Sequence, residues 1–260
     1  MSASSQRRAF VVAVALLLLL SASGRALAQT DEIQVYNAEI NEPGQASIEL
    51  HNNYTPIGRK TPDFPGAVVP QGTLNGVPEW AYGVTDWFEA GLYVPLYSYS
   101  SRQDQFTLNS FKARFLFVEP HAAEHQFFYG VNVEFSYNAH HWEPTRYSQE
   151  IRPILGWRFG PVDFIVNPII DNSWRGVGAL DFAPAVRLDY NLSQTWAVAL
   201  EHYADFGAVR HFDSLDNQQH TLFAVVDYSS EKMDVEAGIG HGFTAASDDL
   251  VLKLIVGHPF

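Results

Sequence analysis

The stretch Gln126 to Asn138, QFFYGVNVEFSYN, constrains the fold more than any other part of the chain. In a β-strand, successive side chains point to opposite faces. One face then carries Phe127, Tyr129, Val131, Val133, Phe135 and Tyr137, and the other Phe128, Gly130, Asn132, Glu134, Ser136 and Asn138. A soluble barrel of this pattern would have to pack six bulky groups inside or hold an aromatic wall in water. A membrane barrel turns the bulky face into lipid and keeps the polar one inside.

The same alternation recurs along the chain. Ala46 to Tyr54 sets Ala46, Ile48 and Leu50 against Ser47, Glu49, His51 and Asn53, and Trp87 to Ser98 places Phe88, Ala90, Leu92, Val94 and Leu96 on one face. Further strands are expected over Val77 to Tyr82, Ser110 to Val118, Ser148 to Phe159, Val162 to Asp171, Leu180 to Tyr190, Thr195 to Phe206, Gln219 to Tyr228, Asp234 to Phe243 and Asp249 to Phe260. The connections after odd strands, such as 55–76, 139–147 and 207–216, are mostly long, and those after even strands mostly short. Long on one side and short on the other is the asymmetry of outer-membrane barrels. The expected fold is all-β: a transmembrane antiparallel up-and-down β-barrel of about 12 strands spanning residues 45–260.

Arg7 and Arg8, the apolar run Ala9 to Leu20 and the small-residue triplet Ala26-Leu27-Ala28 predict a cleaved signal peptide over residues 1–28. A retained anchor would need about twenty apolar residues. Residues 29–44 are polar and end in Pro43-Gly44, which fits an N-terminal periplasmic extension or a short plug. The chain contains no Cys, which removes disulfides, thiolate metal sites and Cys nucleophiles. Net charge is −13, and −16 once Arg7, Arg8 and Arg25 leave with the signal (−13 minus 3), so nucleic acid is not an expected partner.

In the last strand, Leu250, Leu252, Leu254 and Val256 alternate with Lys253 and Gly257 up to a terminal Phe260. This ending resembles the assembly signal of Gram-negative outer-membrane barrels, although His258 and Pro259 depart from the usual aromatic-rich form. The resemblance implies the cell outer membrane as location, with the barrel-assembly machinery and outer-membrane lipids as partners. Three stretches carry a wider resemblance: Ser47-Ile48-Glu49-Leu50-His51-Asn52-Asn53-Tyr54, Glu79-Trp80-Ala81-Tyr82-Gly83-Val84-Thr85-Asp86-Trp87-Phe88-Glu89, and Gly130-Val131-Asn132-Val133-Glu134-Phe135-Ser136. Together they make the chain similar to the transporter-like outer-membrane family named for the MetA pathway of phenol degradation. That resemblance implies a barrel linked to aromatic compounds, and it transfers no catalytic residues.

The inward face is expected to be lined by Glu49, Glu89, Lys112, Arg114, Asn132, Glu134, Arg152, Arg158, Asp163, Asn167, Asp181, Arg187, Asp189, Glu201, Tyr203 and Glu236. In a dry core each unpaired ion would cost several kcal/mol, so the interior must pair its charges or hold water. Two readings follow: an ion-pair lattice that stiffens the wall, or a selective polar lumen. Twelve strands leave a narrow or blocked pore, so the expected function is passive passage of small solutes. The alternative is a structural or lipase-type barrel. A lipase would need an outward Ser within reach of an outward His, and Ser98 and His202 both face outward in this reading.

No cofactor and no metal site are expected. His140-His141-Trp142 reads as an ordinary exposed loop, and Gly238-Ile239-Gly240-His241-Gly242 as glycines making room in the lumen rather than a phosphate loop. Pro153, Pro168 and Pro184 fall at comparable depths in three consecutive strands. Proline cannot donate to a ladder, so these three mark either bulges or a candidate lateral gate.

Overall fold

The computed structural model describes residues 32–260, so the expected signal segment lies outside the described residues. Among the described residues the strands are β1 (Ala46–Ile57), β2 (Thr73–Thr85), β3 (Phe88–Ser100), β4 (Gln105–Val118), β5 (Phe127–Asn138), β6 (Tyr147–Phe159), β7 (Val162–Asn167), β8 (Ile170–Asn172), β9 (Leu180–Phe182), β10 (Ala185–Asn191), β11 (Trp196–Asp205), β12 (Gln219–Ser230), β13 (Met233–Gly242) and β14 (Leu250–Pro259). All pairings are antiparallel, and the β1–β14 and β5–β6 pairings close the sheet on itself.

These fourteen segments make twelve staves. β7 and β8 both pair with β6 and are halves of one stave parted at Pro168-Ile169, while β9 and β10 are halves of the next, parted at Ala183-Pro184. The sequence led us to expect two continuous strands here. The missing N–H of each proline takes a rung from the ladder and ends regular pairing at that level.

Outside, the wall is apolar and banded. Near the end with short turns, Trp80, Tyr82, Trp87, Tyr129, Tyr190 and Trp196 stand exposed; near the end with long loops, Tyr99, Phe106, Tyr137 and Tyr147 do so. Leu92, Leu188, Leu200 and Leu254 lie exposed between these belts, which is the pattern lipid requires. Among the described residues no helix is long and apolar enough to cross a membrane.

One strand departs from simple alternation. The β3 register slips against both neighbours around Val94-Pro95, so inward residues are odd-numbered up to Tyr93 and even-numbered from Leu96 onward. Leu96 and Ser98, expected outside, are therefore each only 1% exposed, inside. A bulge inserts one extra residue and reverses the facing of everything beyond it.

The lumen is filled by the chain itself. Residues 32–44 run inside the barrel and reach the turn end beside β2. There Gly83 lets the backbone pass: a Cβ at Gly83 would sit 2.3 Å from the carbonyl oxygens of Asn41 and Glu42. Hydrogen bonds from Gly44 N to Gly83 O (2.8 Å) and Gly83 N to Gln45 O (3.0 Å) seal that crossing. From the loop end, 58–72 folds inward far enough to bury Ala67 and Val68. The loop 139–146 likewise buries Trp142 among Val77, Tyr93 and Leu96. His140-His141-Trp142 is thus only in part the exposed loop expected: His140 is exposed, His141 half-buried and Trp142 fully inserted, because a large ring gains more inside the barrel than above it.

Candidate functional site: a charged lumen and its internal strap

The residues expected to line the lumen point inward, each lying in a stretch where alternation holds locally, Glu89 being on the turn-end side of the β3 slip. The structure gathers them into three groups.

At the turn end a cavity of about 430 Å³ is lined by Glu49, Glu89, Arg114, Arg158, Asp163, Arg187, Asp189 and Glu236. Arg187 is the hub. Its guanidinium meets Asp189 (Nε to Oδ1, 2.7 Å), Glu201 (2.5 Å), Glu236 (2.7 Å) and Asp227. Lys253 adds contacts to Glu201 and, at 2.5 Å, to Glu236. Arg114 holds Glu79 at 2.9 Å and also Glu89. Arg158 lies over the Phe128 ring (4.1 Å) and donates to the Ala122 and His125 carbonyls.

At mid-height Lys112 pairs with Glu134 (3.3 Å), Asn132 donates to Glu134 (2.8 Å), Arg152 pairs with Glu150 (2.7 Å) and Tyr203 donates to Glu201 (2.9 Å). Each of the charges just named has an opposite charge or a hydrogen bond waiting, which is the condition for burying it.

Toward the loop end Asp181 stands across from Asp171, which in turn stands across from Glu150 and then Glu134 along the same row. At that end lies a separate, small cavity of about 20 Å³, between Ile33 of the internal segment and Val68 and Pro70 of the inserted loop.

The internal segment is a strap held at points. Asn167 grips it twice: Oδ1 accepts from Tyr36 N (2.8 Å) and Nδ2 donates to Tyr36 O (3.1 Å). Arg152 Nη1 donates to Gln34 O (3.0 Å) and Lys253 Nζ to Ile33 O (3.2 Å). The Tyr36 hydroxyl meets that of Tyr93 at 2.5 Å, and its ring lies beside the guanidinium groups of Arg152 (4.6 Å) and Arg114 (5.6 Å). Nearer the rim, the Asn41 backbone and side-chain N–H groups both donate to Glu89 (2.7 Å each). Ile33 packs with Ala199, Phe223, Val225 and Val251, which are inward residues of β11, β12 and β14.

The three prolines lie in one row. The flanking pairs Leu155–Val166 and Ile151–Ile170 set Pro153 opposite Pro168, and Ala185–Asn167 with Ile170–Phe182 set Pro168 opposite Pro184. Beyond them Ala204 N still reaches Pro184 O (3.0 Å), and Ala183 N reaches Ile169 O (3.1 Å).

Ser98 and His202 do not meet. Ser98 is inside, donating to Asn75 (2.5 Å) and accepting from Asn109 (2.7 Å), whereas the His202 ring stacks on His220. Tyr36, Tyr93 and Trp142 carry the occlusion; from the sequence, Tyr36 and Tyr93 have no assigned role and Trp142 is expected in an exposed loop. Tyr93 could have been singled out, since it shares the inward face with Glu89; Tyr36 lies in a segment with no period to read.

Fold and site together define a class: a closed twelve-stave barrel with a lipid-type exterior, an ionic interior and an internal strap. No protein-family model matches the chain, and no curated protein does so in sequence, so the resemblance to the MetA-pathway family rests on the quoted stretches alone. Solved structures match in fold. The COG4313 outer membrane channel from Pseudomonas putida F1 aligns with a TM-score of 0.56 at 13% identity, covering 88% of this chain and all of that one. The NanC porin aligns at 0.55 with 8% identity (81% and 98% covered), and the KdgM porin, in complex with disordered oligogalacturonate, at 0.53 with 8% identity (82% and 99%). At these identities the likeness is one of fold.

Proposed function

We propose that the protein is an outer-membrane channel for passive passage of small solutes, with its turn end in the periplasm and its lumen closed in this state by residues 32–44. The observation that carries the reading is the strap. Inside the barrel it is held mainly by side-chain contacts rather than by a ladder, within a wall whose inner face is ionic and lines a cavity at the turn end. The fold-level likeness to a COG4313 channel and to the NanC and KdgM porins agrees with it. The location, the contact with lipids and the delivery of the last strand, ending at Phe260, to the barrel-assembly machinery belong to the same proposal. Purified full-length protein in planar bilayers should give small-conductance openings. Protein that runs as a folded, heat-modifiable band on a gel yet never opens would overturn the channel and favour a closed structural barrel.

A second reading is favoured by the proline row. With Pro153, Pro168 and Pro184 opposed across three staves, the wall is weakest at one level, and aromatic or apolar solutes could leave sideways there. Carbonyls turned to lipid would be costly, so such an opening needs polar lining, and Arg152 and Asn167 stand beside it. Slow amide exchange throughout β6 to β10, equal to that of β11 to β14, would end this reading.

A further inference from the structure

We propose that Glu49, His51 and Glu79 form a three-ligand site for a transition-metal dication of the Zn²⁺ type, open to the turn-end cavity. Glu49 and Glu79 are direct cross-strand partners on β1 and β2, both facing inward. Two carboxylates so placed repel unless something positive lies between them. His51 is the next inward residue on β1, and its Nε2 stands 3.1 Å from Glu79 Oε2 and 3.7 Å from Glu49 Oε2. Four ligands around zinc at bond lengths of about 2.1 Å are separated by about 3.4 Å. These two separations bracket that edge, and all three ligand atoms lie within 4.8 Å of one another, so small side-chain adjustments would close them on an ion.

The nitrogen donor selects the metal. Imidazole with carboxylates suits Zn²⁺, Ni²⁺ or Cu²⁺, while Ca²⁺ and Mg²⁺ prefer all-oxygen shells of six or more. The surroundings are graded as a metal site requires. His51 and Glu79 are fully buried, which holds two ligands rigid, and the Glu49 side chain is 35% exposed to the cavity, which leaves an access path and a fourth position for water. The second oxygen of Glu79 forms an ion pair with Arg114, Oε1 lying 2.9 Å from Nε, and this charge holds the carboxylate in place.

The competing account is an imidazolium bridging the two carboxylates. His51 Nδ1 is buried with no hydrogen-bond partner, so that account would bury a second N–H of a charged ring unpaired. A neutral ring ligating through Nε2 leaves the same Nδ1–H unpaired but without the ring charge, and a dication balances the two carboxylates. The site also reaches the strap: Glu79 leads through Arg114 to Glu89, which holds Asn41.

The test is calorimetric titration of Zn²⁺ into full-length protein, folded in detergent and stripped with EDTA. One ion per barrel is expected, with Glu49→Gln weakening binding at least about tenfold and His51→Ala removing it. Glu49→Gln alters a half-exposed group and carries the test if His51→Ala fails to fold. His202→Asn, which breaks the His202–His220 contact of 3.3 Å, is expected to leave the site intact. Absence of binding at about 0.1 mM Zn²⁺, unchanged affinity in both ligand variants, or Ca²⁺ binding as tight as Zn²⁺ would each overturn the proposal.

Discussion

Asn167 shows how one side chain sets the state of the lumen. Its amide offers an acceptor and a donor at the spacing of a backbone peptide, and Tyr36 presents its own N–H and C=O to them. Each neutral bond is worth about 1 kcal/mol net, so Asn167→Ala should favour release of the strap by roughly tenfold or more. The wall ladder does not use this side chain, so heat-modifiable migration should stay near wild type while open probability in bilayers rises. Asn167→Asp keeps the acceptor and loses the donor, and should fall between the two. If both variants record as wild type, Asn167 is not a latch.

The insertion of 139–146 carries a pH dependence at the scale of the element. This loop lies outside the membrane-spanning strands, and burial holds the His141 imidazole below its ordinary value, with its Nε2 3.2 Å from Asn109 Oδ1. A docked ring that resists protonation loses ground to an undocked one as pH falls through about 6.5. Docking is therefore fully stable above that value and weakens below it. Between pH 8 and pH 5 the Trp142 emission, isolated by subtracting the Trp142→Phe spectrum, should move toward that of solvent-exposed tryptophan, and His141→Asn should flatten the change. Emission that is constant with pH in the wild type would contradict the assignment. The same loop marks where reading the sequence stops. Alternation located the staves and the inward side chains from Glu49 to Glu236, because lipid outside and charge inside impose a period of two on every strand. It misplaced Leu96 and Ser98, since a register slip at Val94-Pro95 leaves no trace in the period. It also left Trp142 and Tyr36 without a role, because an inserted loop or strap is bound by contacts between residues far apart in sequence.

For the whole molecule, closure is divided between two ends. The strap fills the lumen from the turn end, and the loops 58–72 and 139–146 fill it from the other, meeting Ile33 near Val68. Removing residues 32–43 should raise single-channel conductance without abolishing folding, while leaving a residual barrier at the loop end. A second deletion within 58–72 should add to the first rather than duplicate it, and equal conductance for the single and double deletions would refute this division. Beyond its backbone crossing at Gly83, where it runs into β1, the strap is hydrogen-bonded to the wall through side chains that include Glu89, Tyr93, Arg152, Asn167 and Lys253. A pull along the barrel axis would load these attachments one at a time, like pegs drawn from a board, and none of them belongs to a rung that joins neighbouring staves. The stopper is fastened to the vessel at one end, where it continues into β1, and along the rest of its length force or mutation can release it while the wall keeps its shape.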